Sequence, residues 1–169
     1  CTVAGEALNP SVFDDWYRLT GIHLMEGYGQ TETTLSIGTY PWCTPKPGSM
    51  GVRGPQYHVE IMDNEGRLLG TDQEGEIVIC TNERKPLGLF KEYYRDTMLT
   101  ASANYNGWYH TGDIAYRDRD GYFWFVGRTD DVIKSSGYRI GPFEIESVIM
   151  ELPYVLECGV SAAPDEVRG

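Results

Sequence analysis

Between residues 9 and 21 the apolar positions fall at Val12, Phe13, Trp16, Tyr17 and Leu19, behind Asn9-Pro10 and ahead of Gly21. A capping side chain, a proline at the first helical position, one apolar stripe and a terminal glycine predict a short helix with one buried face. The apolar run Ile22-His23-Leu24-Met25 suits a buried strand that delivers Glu26 to Glu32 to a strand end. Helix then strand predicts the last unit of an α/β sheet. From about Gly48 the pattern shortens to β-like runs at His58 to Met62, Glu76 to Cys80, Ile114 to Tyr116 and Tyr122 to Val126. Turn signals at Asp63-Asn64-Glu65-Gly66 and Asp118-Arg119-Asp120-Gly121 punctuate them, which predicts an antiparallel module, a small barrel or sandwich. Beyond Gly127 lie two more β-like stretches (Asp131 to Lys134 and Tyr138 to Ile140), a helix opened by Pro142, and a final strand near Val155 to Ala162. These read as the start of a separate α+β lobe.

With 41% hydrophobic residues among 169, the chain can bury a core. Its net charge of -11 disfavours nucleic acid and anionic headgroups as partners. An anionic nucleotide would need a locally basic or glycine-rich site. The four cysteines, Cys1, Cys43, Cys80 and Cys158, show no metal-ligand spacing and read as reduced core thiols. No long apolar run and no leader pattern is seen, so the expected setting is cytoplasmic, without membrane insertion. The first residue is not methionine and the last ones close no recognisable element, so both ends are expected to continue into something longer.

Gly27-Tyr28-Gly29-Gln30-Thr31-Glu32 offers backbone access, a flat ring, a hydroxyl and a carboxylate where an α/β sheet presents ligands. Such a set suits a base, a phosphate and Mg²⁺, although on spacing alone a polar turn fits as well. Trp108-Tyr109-His110-Thr111-Gly112-Asp113 places an acid at a strand boundary, suited to a vicinal diol or to capping a turn. His110, with no partner visible in the sequence, reads as a packed or hydrogen-bonded histidine rather than a base. Arg128 closes a buried strand beside Asp130 and Asp131, where a surface ion pair is the plain alternative. Lys134-Ser135-Ser136-Gly137-Tyr138-Arg139 is a small-residue turn flanked by cations, able to admit a narrow ligand arm and to fork a phosphate.

In this order, Gly5-Glu6-Ala7-Leu8, GYGQTE (27 to 32), GEIVI (75 to 79), WYHTGD (108 to 113) and GYFWFVGRTDDVIKSSGYRIGPFEIES (121 to 147) resemble the adenylate-forming ligases along nearly the whole chain. Within that superfamily the stretch SSGYRIGPFEIES is similar to the hinge region of medium-chain, AMP-forming acyl-CoA synthetases. The resemblance implies the end of an α/β subdomain over 1–47, a small distorted antiparallel β-barrel over 48–129, and over 130–169 a hinge with the start of an α+β C-terminal lid lobe. It also implies a reaction in which a carboxylic acid and MgATP give acyl-AMP, and coenzyme A then displaces AMP.

Carried over by motif, Gly5, Glu6 and Ala7 would line the adenine side. Glu26, Gly27, Tyr28, Gly29, Gln30 and Thr31 would complete the AMP site, with Tyr28 stacked on the base and Thr31 on the α-phosphate. Glu32 would hold Mg²⁺, Asp113 and Arg128 would grip the ribose, and Arg139 would meet the phosphate. Ser136, Gly137 and Tyr138 would border the coenzyme A channel, and Asp130 would be the hinge. The family's Ser/Thr/Gly-rich phosphate loop and its catalytic lysine are not found in the 169 residues, so the isolated chain is expected to be inactive. Two other readings stand beside this one: an adenylation domain serving a carrier-protein thiol or an amine, against which the hinge wording speaks, and a non-catalytic β-rich module.

Overall fold

The computed structural model describes residues 1–82, 84–135, 138–152 and 154–163, with Lys134 and Arg139 in their backbone alone. Asn9 caps the first helix, α1 (Pro10–Thr20), by accepting the Ser11 N–H at 2.9 Å, and Gly21 ends it in the left-handed region. The single buried stripe is not realised. Phe13 alone is buried, packed with Leu8 and Leu24, while Val12, Trp16, Tyr17 and Leu19 stay exposed. Through Phe13, with Leu8 just ahead of it, the helix packs beside Val3 of β1 (Thr2–Ala4), which pairs in parallel with β2 (Met25–Tyr28). The strand expected at Ile22 to Met25 starts only at Met25, because Met25 is the residue that registers with Thr2. Ile22 instead crosses the surface after the helix cap.

The remaining strands are β3 (Ile37–Gly38), β4 (Gly51–Arg53), β5 (Val59–Met62), β6 (Gly75–Cys80), β7 (Asn104–Tyr105), β8 (Trp108–Arg117) and β9 (Tyr122–Arg128). With β1 and β2 they make one nine-stranded sheet in the order β1-β2-β3-β4-β9-β8-β6-β5, with β7 beside β8. The architecture is thus α/β plus β, yet the expected barrel does not close among the described residues. Closure needs the last strand to pair with the first. Here β4 passes through β3 to the β1–β2 parallel pair, so the antiparallel strands extend the α/β sheet instead of curling onto themselves.

One face of this sheet holds the main core. Val59 and Ile61 pair with Ile79 and Ile77, all fully buried, alongside Phe123, Tyr109, Ile37 and Leu89. Both acidic turns form as read. Asp118 Oδ1 accepts the N–H groups of Asp120 and Tyr122, and Lys46 ties Asp118 to Asp120. A helix that the sequence reading missed, α2 (Thr97–Ala103), starts on Asp96, whose side chain accepts the Leu99 N–H at 2.8 Å.

Past β9, β10 (Ile133–Ser135) pairs antiparallel with β11 (Tyr138–Ile140), and α3 (Pro142–Met150) follows, opened by Pro142 as expected. The strand expected near Val155 to Ala162 is absent from the described residues. That segment is tied to α3 instead: the Val160 N–H donates to Glu146 Oε1 at 2.8 Å, and Cys158 Sγ reaches the Glu146 carbonyl. All four cysteines are free, but none is core: Cys1 is exposed and the others are half-buried. No helix among the described residues is long and apolar enough to cross a membrane.

Candidate functional site

Three pieces of chain converge on Asp113. β2 brings Tyr28 to its end, the following turn carries Gln30 to Glu32, and β8 and β9 set Asp113 opposite Arg128. The strand boundary expected before Asp113 is instead the middle of the ten-residue β8. An irregularity in register after Ile114 and a positive φ at Gly112 bend the strand there. A side chain at Gly112 would be strained at φ 74° and would meet the Arg128 guanidinium at 3.2 Å. Its N–H donates to Glu76 Oε1 at 2.8 Å and its carbonyl accepts the Thr129 N–H at 2.8 Å, which fixes the bend.

Asp113 is buried. Its Oδ2 accepts the Tyr28 hydroxyl at 2.5 Å and the Gln30 amide at 2.7 Å, while Oδ1 accepts Arg128 Nη1 at 3.2 Å. A carboxyl that faces three donors acts as an acceptor only, hence as a carboxylate. Burial pushes its pKa up, and the Tyr28 hydroxyl, the Arg128 charge and the Gln30 amide pull against that. Burial and the Asp113 charge push the Tyr28 phenol far above its ordinary value, so the shared proton stays on Tyr28.

Gln30 is the joint of the network. Its amide also donates to the Thr111 carbonyl at 2.9 Å, and its Oε1 accepts the Tyr109 hydroxyl at 2.8 Å. Tyr109 has no role in the sequence reading, although strand alternation from Asp113 back to Tyr109 puts both on one face. His110 points to the other face. Its Nδ1 lies 2.8 Å from Glu76 Oε2 and its ring stacks on Tyr105 with centroids 3.7 Å apart.

Gly5, Glu6 and Ala7, Glu26 to Gln30, Asp113, Arg128 and Asp130 all line one cleft of about 1190 Å³. Pro142, Phe143 and Glu146 of α3 line it as well. Thr31, exposed in its turn, and Glu32 do not line it. Nor does Tyr138, which is 73% exposed. Ser136 and Gly137 lie outside the described residues, and Arg139 is placed only by its backbone in β11.

A family model described as AMP-binding enzyme matches residues 1–94. The chain belongs to this AMP-binding enzyme family. Rat mitochondrial acyl-coenzyme A synthetase ACSM3 is 49% identical over all 169 residues, which make up 29% of its length. The anthranilate CoA ligase AuaEII, solved with anthranoyl-AMP, superposes with a TM-score of 0.88 at 30% identity, over 97% of this chain and 31% of that one. The o-succinylbenzoate coenzyme A synthetase MenE of Bacillus subtilis, solved with ATP and magnesium, gives 0.85 at 29% identity, over 99% of this chain and 34% of that one. The chain therefore spans about a third or less of each of these proteins.

Among the described residues, the wall of this cleft holds one buried acid with an unsatisfied oxygen. Glu26 Oε1 accepts the Leu8 N–H at 3.2 Å, while its buried Oε2 has no partner. Burial raises its pKa from 4.5 to about 7, with the Leu8 N–H pulling the other way. The folded protein therefore holds this proton longer than the unfolded chain. The contribution of this one group to stability is fully present below the unfolded value of 4.5 and is lost as pH rises through about 7. Glu26→Gln is expected to remove that decline, checked by comparing urea midpoints of both proteins at about pH 5 and pH 8.

Proposed function

We propose that these residues form the AMP-binding part of an acyl-CoA synthetase, an AMP-forming acid–thiol ligase acting on short- or medium-chain fatty or aromatic acids. The observation that carries the reading is the convergence of Tyr28, Gln30 and Arg128 on the buried Asp113 carboxylate at the wall of the cleft. A carboxylate beside a guanidinium, reached by a polar network and flanked by a ring, suits a ribose and its base. The orphaned Glu26 Oε2 on the same wall suits a ligand with a hydrogen-bonding edge.

In this reading Asp113 accepts from the ribose hydroxyls with Arg128 beside it. Tyr28 packs on the adenine, which enters past Gly5, Glu6 and Ala7, and Thr31 donates to the α-phosphate. Glu32 holds magnesium. Among the described residues no cluster of three or more ligand side chains exists, so such an ion would rest on this one carboxylate, phosphate oxygens and water, as magnesium commonly does. Bound there, the ion offsets charge on the phosphates. Arg139 reaches the phosphate, and Ser136, Gly137 and Tyr138 border the coenzyme A thiol's path, once the lobe from 130 onward has turned.

We propose the division 1–47, 48–129 and 130–169 on the same footing, with Asp130 as hinge. In its present position Asp130 accepts Arg128 Nε at 3.0 Å. Asp130→Pro fixes φ there and is expected to slow thioester formation from preformed acyl-AMP more than it weakens AMP binding. Single-turnover measurement of each half-reaction in the complete protein checks this. The acceptor is a small thiol and not nucleic acid, in keeping with the net charge of -11. Four free cysteines suit a reducing compartment such as the cytoplasm, whereas the relative ACSM3 is named as mitochondrial. The test is product identity: AMP, pyrophosphate and an acyl thioester formed from ATP, acid and coenzyme A bear it out, whereas ADP or no thioester refutes it.

A further inference from the structure

The strip from Pro86 to Tyr93 has no part in the reading so far, yet it is laced to the loop that carries Glu32. The Phe90 N–H donates to the Glu32 carbonyl at 2.6 Å and the Thr34 N–H to the Gly88 carbonyl at 2.9 Å. Thr33 and Leu89 form an antiparallel bridge between these two contacts. At the end of the strip the Tyr93 hydroxyl donates to Glu32 Oε1 at 2.7 Å. Among the described residues the other oxygen of that carboxylate takes no hydrogen bond, and it is not sealed in the interior.

Tyr93 is itself held on two sides. Its N–H donates to Thr100 Oγ1 of α2 at 2.9 Å. Its ring lies on Phe90, with centroids 4.7 Å apart, and Phe90 in turn meets Tyr109 edge-on at 5.6 Å. Tyr109 is the residue that holds Gln30, which holds Asp113. The packing needs an aromatic ring but no hydroxyl, since phenylalanine would cover Phe90 equally well. The hydroxyl's close hydrogen bond is the one it donates to Glu32.

We infer that Tyr93 is a positioning residue: its hydroxyl holds one oxygen of the Glu32 carboxylate and leaves the other presented to a divalent ion carried on the nucleotide phosphates. This rests on the reading of Glu32 as the metal-holding residue. A glutamate on a turn has three rotatable side-chain bonds, and Glu32 is only half-buried. Fixing one oxygen against a braced tyrosine removes most of that freedom before the ion arrives. Partners that orient a metal-holding carboxylate in this way commonly matter nearly as much as the carboxylate itself.

The experiment is a paramagnetic resonance titration of Mn²⁺ into the ATP complex of the complete protein, for wild type, Tyr93→Phe and Glu32→Gln. Tyr93→Phe is expected to weaken Mn²⁺ binding about tenfold, at the low end of what losing such a partner costs. Its KM for ATP should return to the wild-type value at saturating metal, and its melting temperature should stay at that of wild type, because the ring packing is kept. Glu32→Gln should weaken Mn²⁺ at least as much, without recovery at high metal. Wild-type Mn²⁺ affinity in Tyr93→Phe beside weakened binding in Glu32→Gln overturns the positioning role alone. Wild-type affinity in both variants overturns the metal reading of Glu32, and the inference with it.

Discussion

Asp113→Ala is expected to raise the dissociation constant for AMP about 100-fold, read by calorimetric titration of the complete protein. Two losses add. The ribose loses a charged acceptor, and hydrogen bonds to charged groups are worth about 1.5–3 kcal/mol each. The Tyr28 hydroxyl and Arg128 Nη1 also lose the acceptor they now share, and the Gln30 amide keeps only the Thr111 carbonyl. Part of the binding energy then goes into re-forming a site that the wild type holds ready. Asp113→Asn keeps the shape and one acceptor oxygen but turns a donor toward the donors already there, so an intermediate loss of about tenfold is expected. The KM for the carboxylic acid should move little in either variant, because the acid need not touch this network. A loss shared equally by AMP and acid would indicate general unfolding instead.

The second large effect concerns the 169 residues taken alone: they are expected to form no acyl-CoA above the blank, measured by chromatography of the thioester. The chain covers 29% of the length of ACSM3, and the phosphate loop and lysine that the family resemblance leads one to seek are not found in it. Groups that act as one unit lose most of their effect when any one is removed, so a part of the machinery does not give a part of the rate. The apolar side of α1 points the same way. Trp16, Tyr17, Leu19 and Ile22 are left with large exposed areas that a folded enzyme ordinarily covers. AMP binding by the isolated residues should accordingly be at least about tenfold weaker than in the complete protein. Clear thioester formation by the 169 residues would contradict this.

Several residues of the candidate site could be singled out before the fold was known, because they sit in short motifs whose order along the chain is itself informative. GYGQTE, WYHTGD and GRTDD supplied Tyr28, Gln30, Asp113 and Arg128, and these meet within hydrogen-bonding distance. The helix from Pro10 and the two acidic turns were legible for a different reason. Their caps are local, and Asn9, Gly21, Asp63 and Asp118 bond within a few residues of themselves. What escaped depends on partners far along the chain. The start of β2 is set by Thr2, the openness of the sheet by the pairing of β4 with β9 and β3, and the exposure of α1 by what does not cover it. Tyr93 escaped for the same reason: 61 positions separate it from Glu32, and nothing in its own neighbourhood marks it. Tyr109 lay inside a recognised motif, and a strand period of two counted back from Asp113 could have found it.

The central claim is that AMP sits in the cleft with its ribose on Asp113 and Arg128. A crystal structure of the complete protein with AMP tests it most directly. The expected result is a ribose diol within hydrogen-bonding distance of the Asp113 carboxylate, with the base against Tyr28 on the side of Gly5 to Ala7. Density for AMP elsewhere, for instance in the separate surface hollow beside His58, Cys80 and Arg84, with Asp113 still holding only Tyr28, Gln30 and Arg128, would contradict it.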